Sequence, residues 1–274
     1  MLGVKRWRRR KLRSAPFPST WDQILRKTFP LYRRLSGNDR AELQGHIQVF
    51  LSEKRFEGCA GLEVTDEIKV TIAAYACLLL LHRKTDYYPG LSSILVYPQA
   101  YAAPVEEEAA RGFAVEGYQE RLGESWQRGA VVFAWKDPRS GATSVKDGRN
   151  LILHEFAHQL DHEDGVADGA PLLERRADYV TWARVLRAEY DRLRADSERG
   201  RRSVLDLYGA TNPAEFFAVA TESFFLSPGK LRHRHPELFD SLKRFYRQDP
   251  RHYSALPRKA GRRAKGRVQR AGRR

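Results

Sequence analysis

Most of the chain has the hydrophobic spacing of helices, and only a few short runs are typical of strands. Over residues 21–56, apolar positions recur every three or four residues, as on the buried face of helices, with a break and a new helix start at 36–39. An uninterrupted apolar run at 70–81 predicts a buried core helix with Thr65 as its N-cap. The first third of the chain is therefore predicted to be helical.

Two β-rich runs, at 94–97 and 129–135, predict strands, and a turn signal at 136–141 closes the second. The segment 102–128 is acidic and irregular, and its pattern predicts no element. Further helices are predicted over 149–162 (capped by Asp147 or Asn150), 174–195, 213–225 and 236–247. Mainly helical structure with a few strands predicts an α+β fold.

Charge divides the chain into a nearly neutral body and two basic ends. The 274 residues carry a formal net charge of +15. Residues 1–13 include seven basic and no acidic residues, and residues 258–274 include nine basic and no acidic residues. The remainder has 33 basic against 34 acidic residues. Since blocks of like charge usually stay solvated, we expect disordered basic tails at 1–16 and 257–274 around one domain at 17–256.

No specific nucleic-acid partner is expected. Loose electrostatic binding through the tails to nucleic acid, anionic membrane or acidic proteins is the alternative role for them.

The sequence also predicts a cytoplasmic location. No apolar run follows the basic N-terminus as in a signal peptide. The apolar run at 70–81 has twelve residues, whereas a membrane span needs about 20. Cys59 and Cys77 alone form no disulfide framework and suit reduced thiols.

The segment 151–161, LILHEFAHQLD, contains an H-E-x-x-H pattern. Residues four apart lie on one face of a helix, so His154 and His158 can hold one metal ion. Glu155 lies about 100° around the same helix, where it can act as general base for the attacking water. The apolar neighbours indicate a buried helix, in which imidazoles without partners would be costly. The pattern therefore predicts a metal centre.

A third protein ligand is needed, and three residues compete for that role. Asp164 has a suitable spacing but lacks the glycine that would turn the chain back, since Asp161 occupies that position. His162 continues the same straight helix. Glu215 would complete a set of two histidines and one glutamate from a separate helix. Glu215 could equally close a capping box with Asn212, so spacing alone leaves these roles open.

A resemblance favours Glu215. HEFAHQLD together with the segment 208–218, YGATNPAEFFA, resembles the Mlc titration factor A family of bacterial zinc peptidases, over about residues 29–256. The segment 208–215 also resembles the catalytic domain of anthrax lethal factor, a gluzincin-type peptidase. The resemblance implies a zincin-like fold, one zinc ion bound by His154, His158 and Glu215, and Glu155 as general base. It further implies Tyr208 as the hydrogen-bond donor to the oxyanion.

Residues around these ligands have roles that remain open at this point. The lethal-factor pattern has a second carboxylate four residues after its ligand glutamate, where this chain has Val219, so that partner is missing or comes from elsewhere. Asp161 and Glu222 share the faces of the ligands. Asp161 is either a partner of a ligand imidazole or a C-terminal turn residue, and Glu222 is either such a partner or part of an ordinary salt bridge. The strand at 129–135 is expected either at the edge of a small mixed sheet, bordering the active site and pairing with substrate, or buried within it.

The resemblance implies two functions that can coexist. One is hydrolysis of peptide bonds, with the family favouring an aminopeptidase. The other is binding of a sugar-responsive transcriptional repressor, which would affect the glucose phosphotransferase system. A non-catalytic repressor-binding protein is the alternative to the peptidase.

Overall fold

The computed structural model describes residues 2–98, 101–104, 118–121, 123–126, 129–135 and 149–254. Its helices are α1 (Leu2–Arg13), α2 (Ser19–Thr28), α3 (Gly37–Glu53), α4 (Asp66–Leu78), α5 (Leu151–Asp161), α6 (Asp178–Glu198), α7 (Pro213–Leu226), α8 (Pro228–Arg234) and α9 (Pro236–Tyr246). Short 3-10 helices cover Pro30–Arg34, His162–Asp164, Leu207–Ala210 and Pro250–Ser254. The strands are β1 (Arg55–Gly58), β2 (Ser93–Tyr97), β3 (Tyr101–Pro104), β4 (Tyr118–Arg121), β5 (Gly123–Trp126) and β6 (Ala130–Ala134). The predicted α+β class and mainly helical character are confirmed.

Four strands form one mixed sheet in the order β1-β2-β6-β5. β1, β2 and β6 are parallel, and β5 is antiparallel to β6. The strand predicted at 129–135 is β6, which lies between β2 and β5 and is mostly buried. Of the two alternatives left open for it, the buried strand is confirmed and the edge strand is wrong. Because β6 is paired on both sides, it has no free backbone for an extended peptide. The two edge strands of this sheet are β1 and β5, and β5 lies alongside α5.

α4 is the predicted core helix. The Thr65 hydroxyl accepts a hydrogen bond from the Ile68 N–H at 3.4 Å, and residues 70–78 are all buried. The helix connects β1 to β2, and the helical pattern predicted at 21–56 wrongly includes the first two residues of β1. Residues 55–58 form a strand instead, because they pair in parallel with β2.

Phe156 packs α5, the helix that carries the H-E-x-x-H pattern, against three buried aromatic rings. The ring centroid of Phe156 lies 5.7 Å from that of Phe50 on α3, 5.0 Å from Tyr88 and 6.2 Å from Phe133 on β6. At the start of the helix, Asn150 Oδ1 accepts the Leu153 N–H at 2.9 Å. These contacts orient α5 on the sheet.

α7 runs through the interior beside α5. Asn212 Oδ1 accepts the Glu215 N–H at 2.9 Å, and Pro213 occupies the first turn, as the sequence predicts. Residues 216–225 are all buried, and the Phe217 ring packs against Trp182 on α6 and Phe245 on α9. α6 begins at Asp178, four residues later than predicted, and α8 was not predicted.

The expectation of a disordered N-terminal tail is wrong for residues 2–13, which form α1. Arg9 makes two hydrogen bonds of 2.8 Å to the Glu53 carboxylate, and Leu12 packs against the core. These partners stabilise a helix despite the density of positive charge. The C-terminal tail at 257–274, the turn at 136–141 and Asp147 lie outside the described residues. Among the described helices, none is long and apolar enough to cross a membrane.

Candidate metal centre

Both histidines of α5 point to the same side of the helix. The Nε2 atoms of His154 and His158 are 3.2 Å apart, and their rings are nearly perpendicular. Both side chains are mostly buried, since only 12% of the His154 side chain and 11% of the His158 side chain are exposed. The two nitrogens therefore converge at a mostly buried position.

Glu215 of α7 completes the group. Its Oε2 atom lies 2.9 Å from His154 Nε2 and 3.5 Å from His158 Nε2. One ligand atom from each of the three residues lies within 4.8 Å of the others. Neither His162 nor Asp164 joins this group. Asp164 instead accepts a hydrogen bond from the Val166 N–H at 3.0 Å.

Glu222, two turns after Glu215 on α7, fixes the orientation of His154. Its Oε1 atom lies 2.9 Å from His154 Nδ1, and its Oε2 atom accepts the N–H of Asn150. A neutral His154 with its hydrogen on Nδ1 would direct the Nε2 lone pair toward His158 and Glu215. Electron-pair donors that converge in this way are stabilised by a cation between them, so the residues fit a metal ion.

The pKa values of His154 and Glu215 reflect the hydrogen bonds between these residues. Burial lowers the pKa of His154, but hydrogen bonds with Glu215 and Glu222 outweigh burial and raise the pKa above its ordinary value. Burial raises the pKa of Glu215, but hydrogen bonds with His154 and His158 prevail and lower the pKa to about 2. The Glu215 carboxylate is therefore ionised, as a metal ligand must be.

The two expected catalytic residues flank the group of ligands. Glu155 is buried, at 4% exposed, on the turn of α5 that carries His154. Tyr208 lies on the 3-10 helix Leu207–Ala210, is 56% exposed, and has its ring centroid 6.1 Å from that of His154. Burial raises the pKa of Tyr208, and the negative charges of Glu215 and Glu155 raise it further. The phenol is therefore protonated and able to donate at neutral pH.

Asp206 holds the turn that carries Tyr208. Its Oδ1 atom accepts the Tyr208 N–H at 3.0 Å, and its Oδ2 atom forms an ion pair with Arg149, just before α5. Neither residue was predicted to be part of the site. An aspartate two positions before Tyr208 is a local signal for a capped turn, but nothing local indicates its pairing with Arg149.

Of the two roles left open for Asp161, the contacts agree with that of a residue in the turn after α5 and not with that of a partner of a ligand imidazole. It is fully buried, and its Oδ2 atom accepts the Gly169 N–H at 2.9 Å. Burial raises the pKa of Asp161 to about 6. Gly169 also accepts from the Trp182 indole N–H at 3.1 Å. Asp161 thus fastens the loop after α5, and Glu222 supplies the carboxylate that Val219 does not.

A helix-borne pair of histidines with a glutamate from a second helix is the ligand arrangement of metallopeptidases. Comparison with known proteins agrees with this class. The family model described as glucose-regulated metallo-peptidase M90 matches residues 4–247. The chain therefore belongs to this family of metallopeptidases.

Its relatives align over most of their length. An uncharacterized protein of Synechocystis, slr2042, is 42% identical over 246 residues, which is 89% of each chain. Mlc titration factor A of Klebsiella pneumoniae is 34% identical over 233 residues, covering 84% of this chain and 86% of the relative. The protein of the same name from Salmonella typhi is 33% identical over the same shares. The resemblance to the Mlc titration factor A family is confirmed.

Proposed function

We propose that this protein is a zinc-dependent peptidase in which His154, His158 and Glu215 hold the metal. The observation that carries the proposal is the convergence of two imidazole nitrogens and one carboxylate oxygen within 4.8 Å. Two nitrogens and one oxygen suit Zn²⁺ and leave a fourth position open for a reactant. Membership of a metallopeptidase family supports the same assignment.

The chain's own residues divide the remaining chemistry between them. When bound, zinc supplies Lewis acidity, which polarises a peptide carbonyl and lowers the pKa of water to about 7. Glu155 takes the proton from the attacking water and passes it to the leaving amine. Tyr208 donates a hydrogen bond to the oxyanion that develops on the carbonyl oxygen. Glu222 keeps the Nδ1 hydrogen of His154 in place throughout.

Metal analysis and hydrolysis assays on matched variants test this proposal. About one zinc per chain is expected in the wild type, in Glu155→Gln and in the control Asp164→Ala, whereas Glu215→Ala should lose it. Glu155→Gln should reduce peptide hydrolysis by about 10³-fold or more, because the general base is lost. Undiminished zinc in Glu215→Ala, or an active Glu155→Gln, would contradict the assignment.

We further propose, from the family resemblance, that cleavage starts at a free N-terminus. The test compares an aminoacyl p-nitroanilide with its N-acetylated form. Hydrolysis of the free amine alone is expected. Equal hydrolysis of both forms would indicate an endopeptidase instead.

A second proposed function is binding of an Mlc-type repressor, through which the protein would influence the glucose phosphotransferase system. The observation that favours it is the name Mlc titration factor A carried by relatives that align over 84% of this chain. Titration calorimetry with a purified Mlc-type repressor should give the same affinity for wild type and Glu155→Gln, because the substitution affects catalysis alone. Absence of binding would remove this function without affecting the peptidase.

A further inference from the structure

One face of α1 contacts the rest of the protein. The Lys5 ammonium lies 3.1 Å from Asp86, and the Arg9 guanidinium pairs with Glu53 and lies over the Tyr87 ring at 4.7 Å. Leu12 packs against the core on the same side. These contacts fix which residues of α1 face away from the protein.

The outer face of α1, which we define as Val4, Arg6, Trp7, Arg10 and Lys11, points to solvent. Trp7 is two residues from Arg9, which places it about 200° around the helix and so on the opposite side. It is 56% exposed, and Val4, one turn earlier, is 71% exposed. The Lys11 ammonium lies 5.5 Å from the centroid of the Trp7 ring. Apolar and cationic groups are thus interspersed on one exposed surface.

The charge of this face is not neutralised by its surroundings. Residues 1–13 include no acid, and the nearby carboxylates Glu53 and Asp86 are paired with Arg9 and Lys5 on the inner side. The body of the chain between the basic ends is nearly neutral. The outer face is therefore a local positive surface with an aromatic side chain near its centre.

We propose that the outer face of α1 binds the surface of a membrane rich in anionic phospholipids. Arg and Lys near such a surface are attracted to its negative potential. Tryptophan prefers the level of the headgroups, where its ring is apolar and its N–H remains solvated. Val4 adds aliphatic surface beside it. A basic helix with tryptophan among its exposed residues is typical of binding in the plane of the interface.

Single-stranded nucleic acid fits this surface less well. The aliphatic side chain of Val4 would have no role in such a complex. We therefore treat nucleic-acid binding as an outcome that the experiment has to detect.

The test is co-sedimentation of the full chain with vesicles of phosphatidylcholine, with and without about 30 mol % phosphatidylserine, at low and high salt. Tight binding to the anionic vesicles only, weakened by salt, is expected. Arg6→Glu with Arg10→Glu should weaken binding at least about 25-fold, and Trp7→Ala about fivefold. The control, Arg176→Glu with Arg187→Glu, changes the net charge equally at exposed positions elsewhere and should have less than about a threefold effect.

Three results would overturn the proposal. The first is equal binding to both kinds of vesicle, or none to either. The second is loss of binding in the control pair equal to that in the α1 variants, or loss only when residues 258–274 are deleted. The third is Trp7-dependent binding of a single-stranded oligonucleotide, measured by fluorescence anisotropy, in the absence of vesicle binding. Circular dichroism and a thermal melt check that each variant is folded. This inference does not depend on the proposed peptidase.

Discussion

Glu222 connects three parts of the site through a single carboxylate. Its Oε1 atom lies 2.9 Å from His154 Nδ1. Its Oε2 atom accepts a hydrogen bond from the backbone N–H of Asn150, the residue that caps α5. Carboxylates that hold a ligand imidazole in this way raise its basicity and fix its tautomer. The metal affinity of the site should therefore depend on a residue that does not touch the metal.

Glu222→Gln tests this dependence. The amide can accept from one of its two donors but not from both, so the dissociation constant for zinc should rise about 10- to 100-fold. Competition with a chromogenic chelator measures this dissociation constant. Glu198→Gln, on the exposed end of α6, is the control and should leave the constant unchanged. Equal zinc affinity in the two variants would mean that Glu222 is merely structural.

Tyr208→Phe isolates the phenol hydroxyl. Loss of one donor to the oxyanion should lower kcat by about 10²- to 10³-fold, while KM and zinc content stay close to those of the wild type. Leu207→Ala, at the exposed neighbouring position, serves as the control for disturbance of the turn. An unchanged kcat in Tyr208→Phe would remove Tyr208 from the mechanism.

At the scale of elements, the site depends on how α5 and α7 are held beside each other. Gly169 sits between them, with its N–H bonded to Asp161 and its φ at +78°. A Cβ atom at this position would lie 2.5 Å from the Pro213 carbonyl oxygen, at the start of α7. The glycine therefore allows a close approach of backbones that no larger residue permits.

Gly169→Ala should destabilise the protein by about 2–4 kcal/mol, because both the backbone conformation and the contact with Pro213 are unfavourable. Denaturant unfolding measures the change. Gly165→Ala is the matched control, since Gly165 has φ +93° but a methyl group there would meet nothing within 4 Å. Gly165→Ala should lower the free energy of unfolding by only about 1 kcal/mol. Equal effects at the two positions would show that the approach to Pro213 is not limiting.

For the whole molecule, a bound metal would join α5 to α7, which are far apart in the chain. A ligand that binds only the folded state stabilises it by about 4 kcal/mol at a thousand times its dissociation constant. For a chain of this size, each kcal/mol shifts Tm by about 2–4 °C. Treatment with a chelator should therefore lower the Tm of the wild type by several degrees. The Tm of Glu215→Ala should not respond, and an equal response in both proteins would contradict a role for this centre in stability.

Features that depend on neighbours in the chain could be predicted from the sequence. The pairing of His154 with His158 follows from helical geometry, and so do the N-caps Thr65, Asn150 and Asn212. The buried helix at 70–81 follows from its uninterrupted apolar run. In each case, the interacting groups lie within about one turn of a helix, so local geometry is sufficient.

Features that depend on distant parts of the chain could not be predicted in this way. α1 looked like a solvated tail because its partners, Glu53 and Asp86, are 44 and 77 residues away from Arg9. The sequence left open whether β6 lies at the edge of the sheet or within it, because strand order depends on which segments meet in space. The roles of Glu222 and Asp206 likewise depend on packing between helices. Residue types and helical spacing thus established the metal-binding pattern, whereas long-range packing determined which carboxylates complete and orient it.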